Sequence, residues 1–233
     1  MPYVDDVLEK QRESLKENIS RFDLNNPTFV KEQKLDKKIK DCSDKTGIPI
    51  NQIKTELMNS PTLQSFFIKN ATKQNIGEKV AAEYIKKIPD ILKFKKLPNG
   101  GPNSIHLLNG GIMTKAEKEK HGFDTDTKSC DFSWTYQNQN KSNSKIKSVF
   151  TTQKFTSTKG GGGTQGTVKK EMKNWIKHAN QNKKSDQIFI CLVDGSFWTD
   201  KRVKELDQDC DSRKNVFVCR IDGLEKLLSS LPN

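Results

Sequence analysis

The chain has 233 residues, with 41 Lys or Arg against 29 Asp or Glu, so its formal net charge is +12. That length suits one domain of ordinary size, or a core domain with a small appendage. No run approaches roughly 18 consecutive apolar residues, which argues against a membrane-spanning helix and a membrane partner. The first residues lack the basic-then-apolar layout of a secretory signal, so we expect a cytoplasmic protein.

The excess of positive charge is the first indication of function. Lysine pairs recur along the chain, and a basic surface is typical of proteins that bind a polyanion, most often nucleic acid. The same lysines could simply keep the surface soluble. The five cysteines form no CxxC pair and lie away from the histidines, which argues against a zinc site or a disulfide framework.

The chain divides into a predicted helical segment, residues 1–72, and a predicted core, residues 73–233. Apolar residues at helical spacing predict a helix early in the first segment. Residues 35–58 then predict a helix, a turn at Gly47 and a second helix from about Asn51. This pattern resembles a helix-turn-helix DNA reader, although any compact helical hairpin has it. The segment is therefore a candidate for contacting DNA or forming a dimer.

A stronger helix is predicted over residues 76–88, where apolar residues occupy half of the helical cylinder. Glu78 and Glu83 lie at the two margins of that apolar stripe. A carboxylate in such a position can lean into a cleft, but more often it marks the polar boundary of the helix. Residues rich in Pro, Gly and Asn follow, and they predict loops around a short strand at 105–108.

Two β-type runs come next, at residues 130–136 and 146–156, joined by a polar connection. If they pair as an antiparallel hairpin centred between residues 141 and 142, Asp131 faces Thr152 and Lys154 is its diagonal neighbour on the same face. A shift of one residue would move Lys154 to the other face. The alternation of the first run places its apolar residues on the opposite face, at Cys130, Phe132, Trp134 and Tyr136.

An Asp on one strand and a Lys on the next fit metal-dependent hydrolysis of a phosphodiester. That reaction needs a hard cation held by carboxylates and backbone oxygens, which lowers the pKa of bound water and stabilises the pentavalent phosphate. A nearby lysine orients the attacking water and offsets developing charge. The alternative is a cross-strand Asp–Lys pair at the surface, which is common and contributes little.

Four consecutive glycines, Gly160–Gly163, predict a loop after Lys154 whose backbone can approach a phosphate closely. A helix is predicted next, with Thr167 as its N-cap and a buried stripe that ends at Ala179. Further strands are expected at 188–193 and 216–221, and a terminal helix at 224–228. The predicted fold class is α/β (α+β), with a central mixed sheet flanked by helices. The three tryptophans are predicted to be core or interface residues, at Trp134, Trp175 and Trp198.

In this order, the pieces resemble type II restriction endonucleases of the PD-(D/E)XK nuclease superfamily. The likeness covers roughly residues 76–222. It is carried by residues 128–134, by the Lys154 strand with its glycine-rich tail, and by Val-Asp-Gly-Ser-Phe-Trp at 193–198. The resemblance implies a restriction-endonuclease-like core that cleaves double-stranded DNA at specific sequences with Mg²⁺. A homodimer is expected, because cutting both strands of a palindrome needs two sites related by a two-fold axis.

By that resemblance, Asp131 would bind the metal and Lys154 would be the catalytic lysine. The family usually has Glu or Asp two residues before the lysine, and this chain has Thr152 there. Either Glu83 or Glu78 then supplies the second carboxylate and metal ligand, or the site is inactive. The resemblance also implies a set of residues along the DNA, namely Lys159, Gly160, Gly161, Gly162, Gly163, Thr164, Gln165 and Lys169.

The main alternative is a non-catalytic DNA-binding protein that reads DNA with residues 35–58 and uses the hairpin only as scaffold. A third possibility is an RNA-directed enzyme or toxin with the same core. Nucleophilic catalysis has little support, because the chain has no GxSxG motif and no Cys/His pair.

Overall fold

A computed structural model of the chain describes residues 2–68, 75–121, 127–139, 144–156, 163–211 and 215–231, with the side chains of 163–165 left out. The chain separates into two compact units. The smaller unit is Asp5–Gly77, and the larger unit comprises Met1–Val4 together with Glu78–Asn233. No helix within the described ranges is both long and apolar enough to span a bilayer.

The smaller unit is helical, and its fold follows the predicted pattern. Gly47, with a φ of 72°, ends one helix and donates its N–H to Ser43, and a second helix begins at Ile50. Glycine is favoured there because the left-handed conformation penalises a side chain. The buried core of this unit includes Phe29, Leu35, Ile39, Ile53, Leu57 and Ile68. The boundary between the units falls within α6, after Gly77. The helices that begin in the first 77 residues are α1 Pro2–Ser20, α2 Pro27–Gln33, α3 Leu35–Thr46, α4 Ile50–Asn59, α5 Pro61–Phe67 and α6 Ile76–Lys86.

The larger unit is built on a five-stranded mixed sheet with the order β1-β4-β5-β6-β7, beside a separate β2–β3 hairpin. Strand β4 is antiparallel to both β1 and β5, whereas β6 is parallel to both β5 and β7. The fold class is therefore α+β, as predicted. Its elements are β1 Ile91–Lys96, β2 Ile105–Leu108, β3 Gly111–Thr114, α7 Lys115–Lys120, β4 Phe132–Tyr136, β5 Lys147–Phe155, α8 Gly163–Ala179, β6 Gln187–Asp194, α9 Asp200–Asp207, β7 Val216–Cys219 and α10 Leu224–Ser230.

One side of this sheet, the α8 face, packs against helices α8 and α9. Strand β6 is buried along nearly all its length, because parallel strands are covered on both sides. Its alternate residues on this face join the apolar stripe of α8, and Phe150 of β5 packs against the same cluster. Thr152 and Lys154 share the face of Phe150, since side chains two apart on a strand point the same way. The residues of this core include Val168, Met172, Trp175, Ile176, Ala179, Phe189, Cys191, Val193 and Leu206.

The other side of the sheet, the Tyr3 face, packs against the first residues of the chain and α6. Gln153 donates from Nε2 to the Tyr3 hydroxyl at 3.0 Å, and the Tyr3 ring lies 6.1 Å from that of Phe155. Tyr84 of α6 makes an edge contact with the same ring at 5.5 Å. Asp194 is also on this face, one position beyond Val193 of the α8 face.

The predicted register of the hairpin is confirmed. Phe132 pairs with Thr151 and Trp134 pairs with Val149, which is the alignment that sets Asp131 opposite Thr152. Asp131 lies directly before this strand, where its backbone N–H donates to the Thr151 carbonyl at 2.7 Å and its carboxylate accepts the Thr152 hydroxyl at 3.3 Å.

Several local predictions are wrong, each for a physical reason. Helix α8 begins at Gly163, so Thr167 lies inside it and is not its N-cap. The packing of the apolar stripe outweighs the weak helix propensity of the residues that precede Thr167. Cys130 packs with α8 instead of sharing the face of Phe132. It precedes β4, and its N–H donates to Ile105 of β2, so the strand alternation does not reach it. Strand β7 ends at Cys219 instead of at the predicted residue 221, because Ile221–Gly223 form a 3₁₀ turn.

The three tryptophans are buried in the core, as predicted, with exposed fractions of 2% or less. Short elements of polar composition were absent from the prediction. Helix α9 and strand β1, Ile91–Lys96, are rich in charge, and β1 lies at the edge of the sheet, where one face of a strand need not be apolar.

Candidate active site

Asp131 lies directly before β4, and its side chain is almost fully buried. Its Oδ2 atom accepts the backbone N–H of Gln153 at 2.6 Å and the Thr152 hydroxyl at 3.3 Å. Lys128 donates to the same oxygen from Nζ at 2.5 Å. None of the residues that the structure describes hydrogen-bonds the other oxygen, Oδ1. The carboxylate is thus anchored to β5 through one oxygen and keeps a second oxygen for another partner.

Lys154 lies on the same face of β5 as Thr152, two residues along the strand. Its Nζ atom is 3.8 Å from Oε2 of Glu171 in helix α8, and both side chains are about one-third exposed. At that distance the pair attracts without a direct hydrogen bond. The lysine is therefore held near the face and remains able to turn toward a ligand.

Glu171 is a carboxylate that the sequence prediction missed. It immediately precedes Met172 of the buried α8 stripe, so it lies at the margin of an apolar face. That is the same signal that led to Glu78 and Glu83 on α6. Which of the three carboxylates meets Lys154 depends on which helix covers that side of the sheet, and hydrophobic periodicity does not contain that information.

Glu78 and Glu83 belong to α6, which packs on the Tyr3 face. Glu78 pairs with Lys96 at 3.2 Å and accepts a hydrogen bond from Asn99 at 2.6 Å. Glu83 is exposed. Since Asp131 and Lys154 meet their partners on the α8 face, the structure brings Glu171 to that site and leaves the two α6 carboxylates in the opposite layer.

The predicted DNA-contacting residues fall in three groups. Lys159 and Gly160–Gly162 lie outside the residues that the structure describes. Gly163–Gln165 form the first residues of α8. Lys169 donates to Glu205 of α9 at 2.5 Å, and this ammonium lowers the pKa of the Glu205 carboxyl below its usual value. Lys169 thus ties α8 to α9.

A groove along α8 that includes Glu171 carries exposed positive charge. Lys170, Lys173 and Lys177 are exposed there, and Glu171 is part of the same lining. Lys173 pairs with Asp209 at 2.7 Å. Within the described ranges, no carboxylate pairs with Lys170 or Lys177. The groove therefore presents cations that are available to an anionic ligand.

The donor set is compatible with Mg²⁺ only if a ligand completes it. Across the part of the chain that the structure describes, no three His, Cys, Asp or Glu side chains converge as a metal site. Magnesium commonly takes one or two protein carboxylates and fills its other positions with water and phosphate oxygens. Oδ1 of Asp131 and the partly exposed carboxylate of Glu171 are donors of that kind. By the chemistry of their donors these residues fit Mg²⁺ when water and a phosphate complete the coordination.

A second carboxylate, Asp194, is buried at the carboxyl end of β6. Its Oδ2 accepts the backbone N–H of Ile221 at 3.3 Å, and its Oδ1 has no partner among the described residues. Burial raises the pKa of Asp194 to about 8, against smaller lowering effects of Ile221 and Arg220. The burial of Tyr3, and to a smaller extent its proximity to the Asp194 carboxyl, raises the pKa of the Tyr3 hydroxyl. Asp194 therefore holds a proton at neutral pH and lies on the opposite face from Asp131.

The turn after Asp194 is tightly packed against β5. Gly195 has a φ of 97°, and a Cβ atom there would lie 2.2 Å from the Thr156 carbonyl oxygen. Only glycine fits such a position without moving the backbone. The turn keeps the ends of β5 and β6 in contact close to Lys154.

Comparisons with known protein families, with characterised proteins and with solved structures found no match to this chain. Its function is therefore inferred from the side chains and their geometry.

Proposed function

We propose that the larger unit is a Mg²⁺-dependent endonuclease that cleaves double-stranded DNA at specific sites, as the nucleases of restriction systems do. The observation that carries this proposal is the hairpin register, which sets Asp131 against Thr152 and leaves Lys154 on the same face. Glu171 of α8 adds the carboxylate that Thr152 does not supply.

Each side chain has a role that follows from its surroundings. Asp131 is positioned by β5 through Oδ2, so its Oδ1 is oriented as a ligand atom. Lys154 is a mobile ammonium that would hold the attacking water and offset charge that develops on the phosphate. Glu171 would accept a hydrogen bond from that water or complete the cation site. Bound Mg²⁺ would lower the pKa of water and neutralise phosphate charge.

The topology supports the same assignment. An antiparallel meander β1-β4-β5 leads through α8 into the parallel strand β6. Lys154 therefore lies near the carboxyl end of β5, and Glu171 lies in the helix that follows. Ligands of mixed and parallel sheets commonly bind beyond the carboxyl ends of their strands.

The lysines of α8 support a nucleic-acid substrate. Lys170 and Lys177 are seven residues apart, which corresponds to about 10 Å along a helix axis. Phosphates of one DNA strand recur about every 3.4 Å along the duplex, so this length spans several of them. A homodimer is part of the proposal, because two sites related by symmetry are needed to cut both strands, and a cytoplasmic location is proposed with it.

Plasmid cleavage tests the proposal directly. The protein is incubated with a defined plasmid, with and without Mg²⁺, and the ends of any fragments are mapped. We expect discrete fragments only with the metal, and loss of cleavage in Asp131→Asn, Lys154→Met and Glu171→Gln. Lys115→Met, which removes an exposed lysine of α7 paired with Glu119, is the matched control. Equal cleavage by all variants would overturn the assignment of the site.

A non-catalytic DNA-binding protein is the second candidate. One observation favours it: Asp131 already has three donors on one oxygen, as a purely structural carboxylate would. The helical pair α3–α4 would then be the DNA reader. Retention of a labelled duplex in a gel, without cleavage at any divalent metal tested, would support this candidate over the nuclease.

A further inference from the structure

The three donors to Oδ2 of Asp131 differ in how easily each can leave. The Gln153 N–H and the Thr152 hydroxyl belong to β5, which is paired on both sides within the sheet. Lys128 belongs to the segment before β4, outside any strand or helix, and its side chain is 16% exposed. A long side chain that reaches solvent can exchange partners, whereas the backbone of a central strand cannot.

The ammonium of Lys128 occupies the position of a counter-ion for Asp131. A divalent cation on Oδ1 would lie within a few ångströms of that ammonium, and like charges at that separation repel strongly in a buried site. Lys128 and a metal ion therefore compete for one carboxylate. A phosphate near the site would offer the ammonium another anion, and charge-assisted bonds to phosphate are as strong as those to carboxylate.

We propose that Lys128 is a built-in counter-ion that weakens metal binding at Asp131 until a DNA phosphate takes its ammonium. The proposal rests on the proposed function and adds a coupling between its two ligands. Metal and DNA then bind cooperatively. By linkage, DNA raises metal affinity by the same factor by which the metal raises DNA affinity. In the absence of DNA the protein carries its own cation and holds the metal weakly.

Binding of Mn²⁺ alone to the full chain, measured by electron paramagnetic resonance of the free ion, tests the first half. We expect Lys128→Met to bind Mn²⁺ about tenfold more tightly than the wild type, a factor within the usual range for coupled sites. Lys173→Met, which removes an exposed cation of helix α8, should change the affinity by less than about twofold, since exposed charges are screened. Equal affinity in the wild type and Lys128→Met would overturn the proposal.

A second variant allows for the loss of stability in Lys128→Met. Lys128→Gln keeps a hydrogen-bond donor to Asp131 but removes the charge, and we expect it also to bind Mn²⁺ more tightly. If both variants unfold, the coupling is tested on the wild type alone. A duplex of about 20 base pairs should then raise its Mn²⁺ affinity about tenfold, and an equal concentration of inorganic phosphate should do so less. No change with the duplex would overturn the coupling.

The two proposals fail in different ways. If the wild type cleaves DNA with Mg²⁺ but Lys128 variants bind Mn²⁺ no better, the counter-ion role is wrong and the nuclease assignment stands. If neither the wild type nor the variants bind Mn²⁺ and cleavage is absent, both are wrong.

Discussion

Two lysine–carboxylate pairs on the same face of one sheet differ sharply in geometry. Lys128 and Asp131 are 2.5 Å apart, with side chains 16% and 3% exposed. Lys154 and Glu171 are 3.8 Å apart, with side chains 33% and 40% exposed. Solvent screens the second pair, so it contributes little to stability and is free to rearrange. The first pair is buried, and separating it leaves an uncompensated charge. Each pair joins a lysine to a carboxylate, and their difference in burial predicts a difference in how much each contributes to stability.

The largest difference between the pairs should appear in cleavage. We expect Lys154→Met to reduce the rate of DNA cleavage by about 10²–10³-fold, as loss of one electrostatic donor to the transition state does. Its free energy of unfolding should change by less than about 0.5 kcal/mol, because the side chain is partly exposed. Single-turnover cleavage and urea unfolding on the same preparation measure both quantities. A large loss of stability would show that this pair is structural as well.

The buried pair should show the opposite pattern in unfolding experiments. Asp131→Ala removes the partner of Lys128 and the acceptor of the Gln153 N–H, and we expect a loss of about 3–5 kcal/mol. Glu171→Ala is the matched change in the exposed pair and should cost less than about 0.5 kcal/mol. Urea unfolding followed by the fluorescence of the buried tryptophans distinguishes the two. Similar losses in both variants would show that the two pairs contribute equally to stability.

Asp194 is a buried carboxyl that, among the described residues, pairs with no lysine. Its pKa is about 8 in the folded protein and near 3.8 when unfolded. Between those values the unfolded chain ionises while the folded protein keeps its proton, so stability falls as pH rises, by roughly 1.4 kcal/mol per pH unit.

Asp194→Asn should remove this slope, because an amide does not ionise. Unfolding measured from pH 5 to pH 8 should therefore show wild type and variant diverging as pH rises, with the variant more stable at the alkaline end. Parallel curves would mean that Asp194 is already ionised in the folded state.

The smallest effect concerns the lysines of the α8 groove that have no carboxylate partner among the described residues. Replacing Lys170 or Lys177 with Gln should lower the slope of log Kd for duplex DNA against log salt by about one each, since each releases one counter-ion on binding. Lys173→Gln should change it less, because Asp209 already pairs with that ammonium. Titration of a fluorescent duplex at several salt concentrations measures the slopes.

Much of the fold could be predicted because the informative segments are apolar and periodic. The alternation of β4 and the length of the connection determine the hairpin register, and the apolar run at β6 identifies a strand covered on both sides. Strand β1 and helix α9 escaped prediction because their side chains are mostly charged. Their position is determined by pairing and packing with distant segments.

The candidate site was predictable only in part. Asp131, Thr152 and Lys154 came from strand register, which is a local property. Glu171 depends on which helix covers the α8 face, a tertiary property that periodicity leaves open. Lys128 is three residues from Asp131, so the sequence contained a signal for this pair, but only burial shows how closely the two are bound.

The Tyr3 contact has a consequence for the order of folding. Its hydroxyl bonds a residue 150 positions along the chain. During synthesis Tyr3 leaves the ribosome well before β5, so this contact can form only after β5 has also emerged. The helices of Asp5–Gly77 make mostly local contacts and can form in that interval. The Tyr3 contact is therefore among the later ones to form, although Tyr3 precedes α6 and every strand of the sheet in the chain.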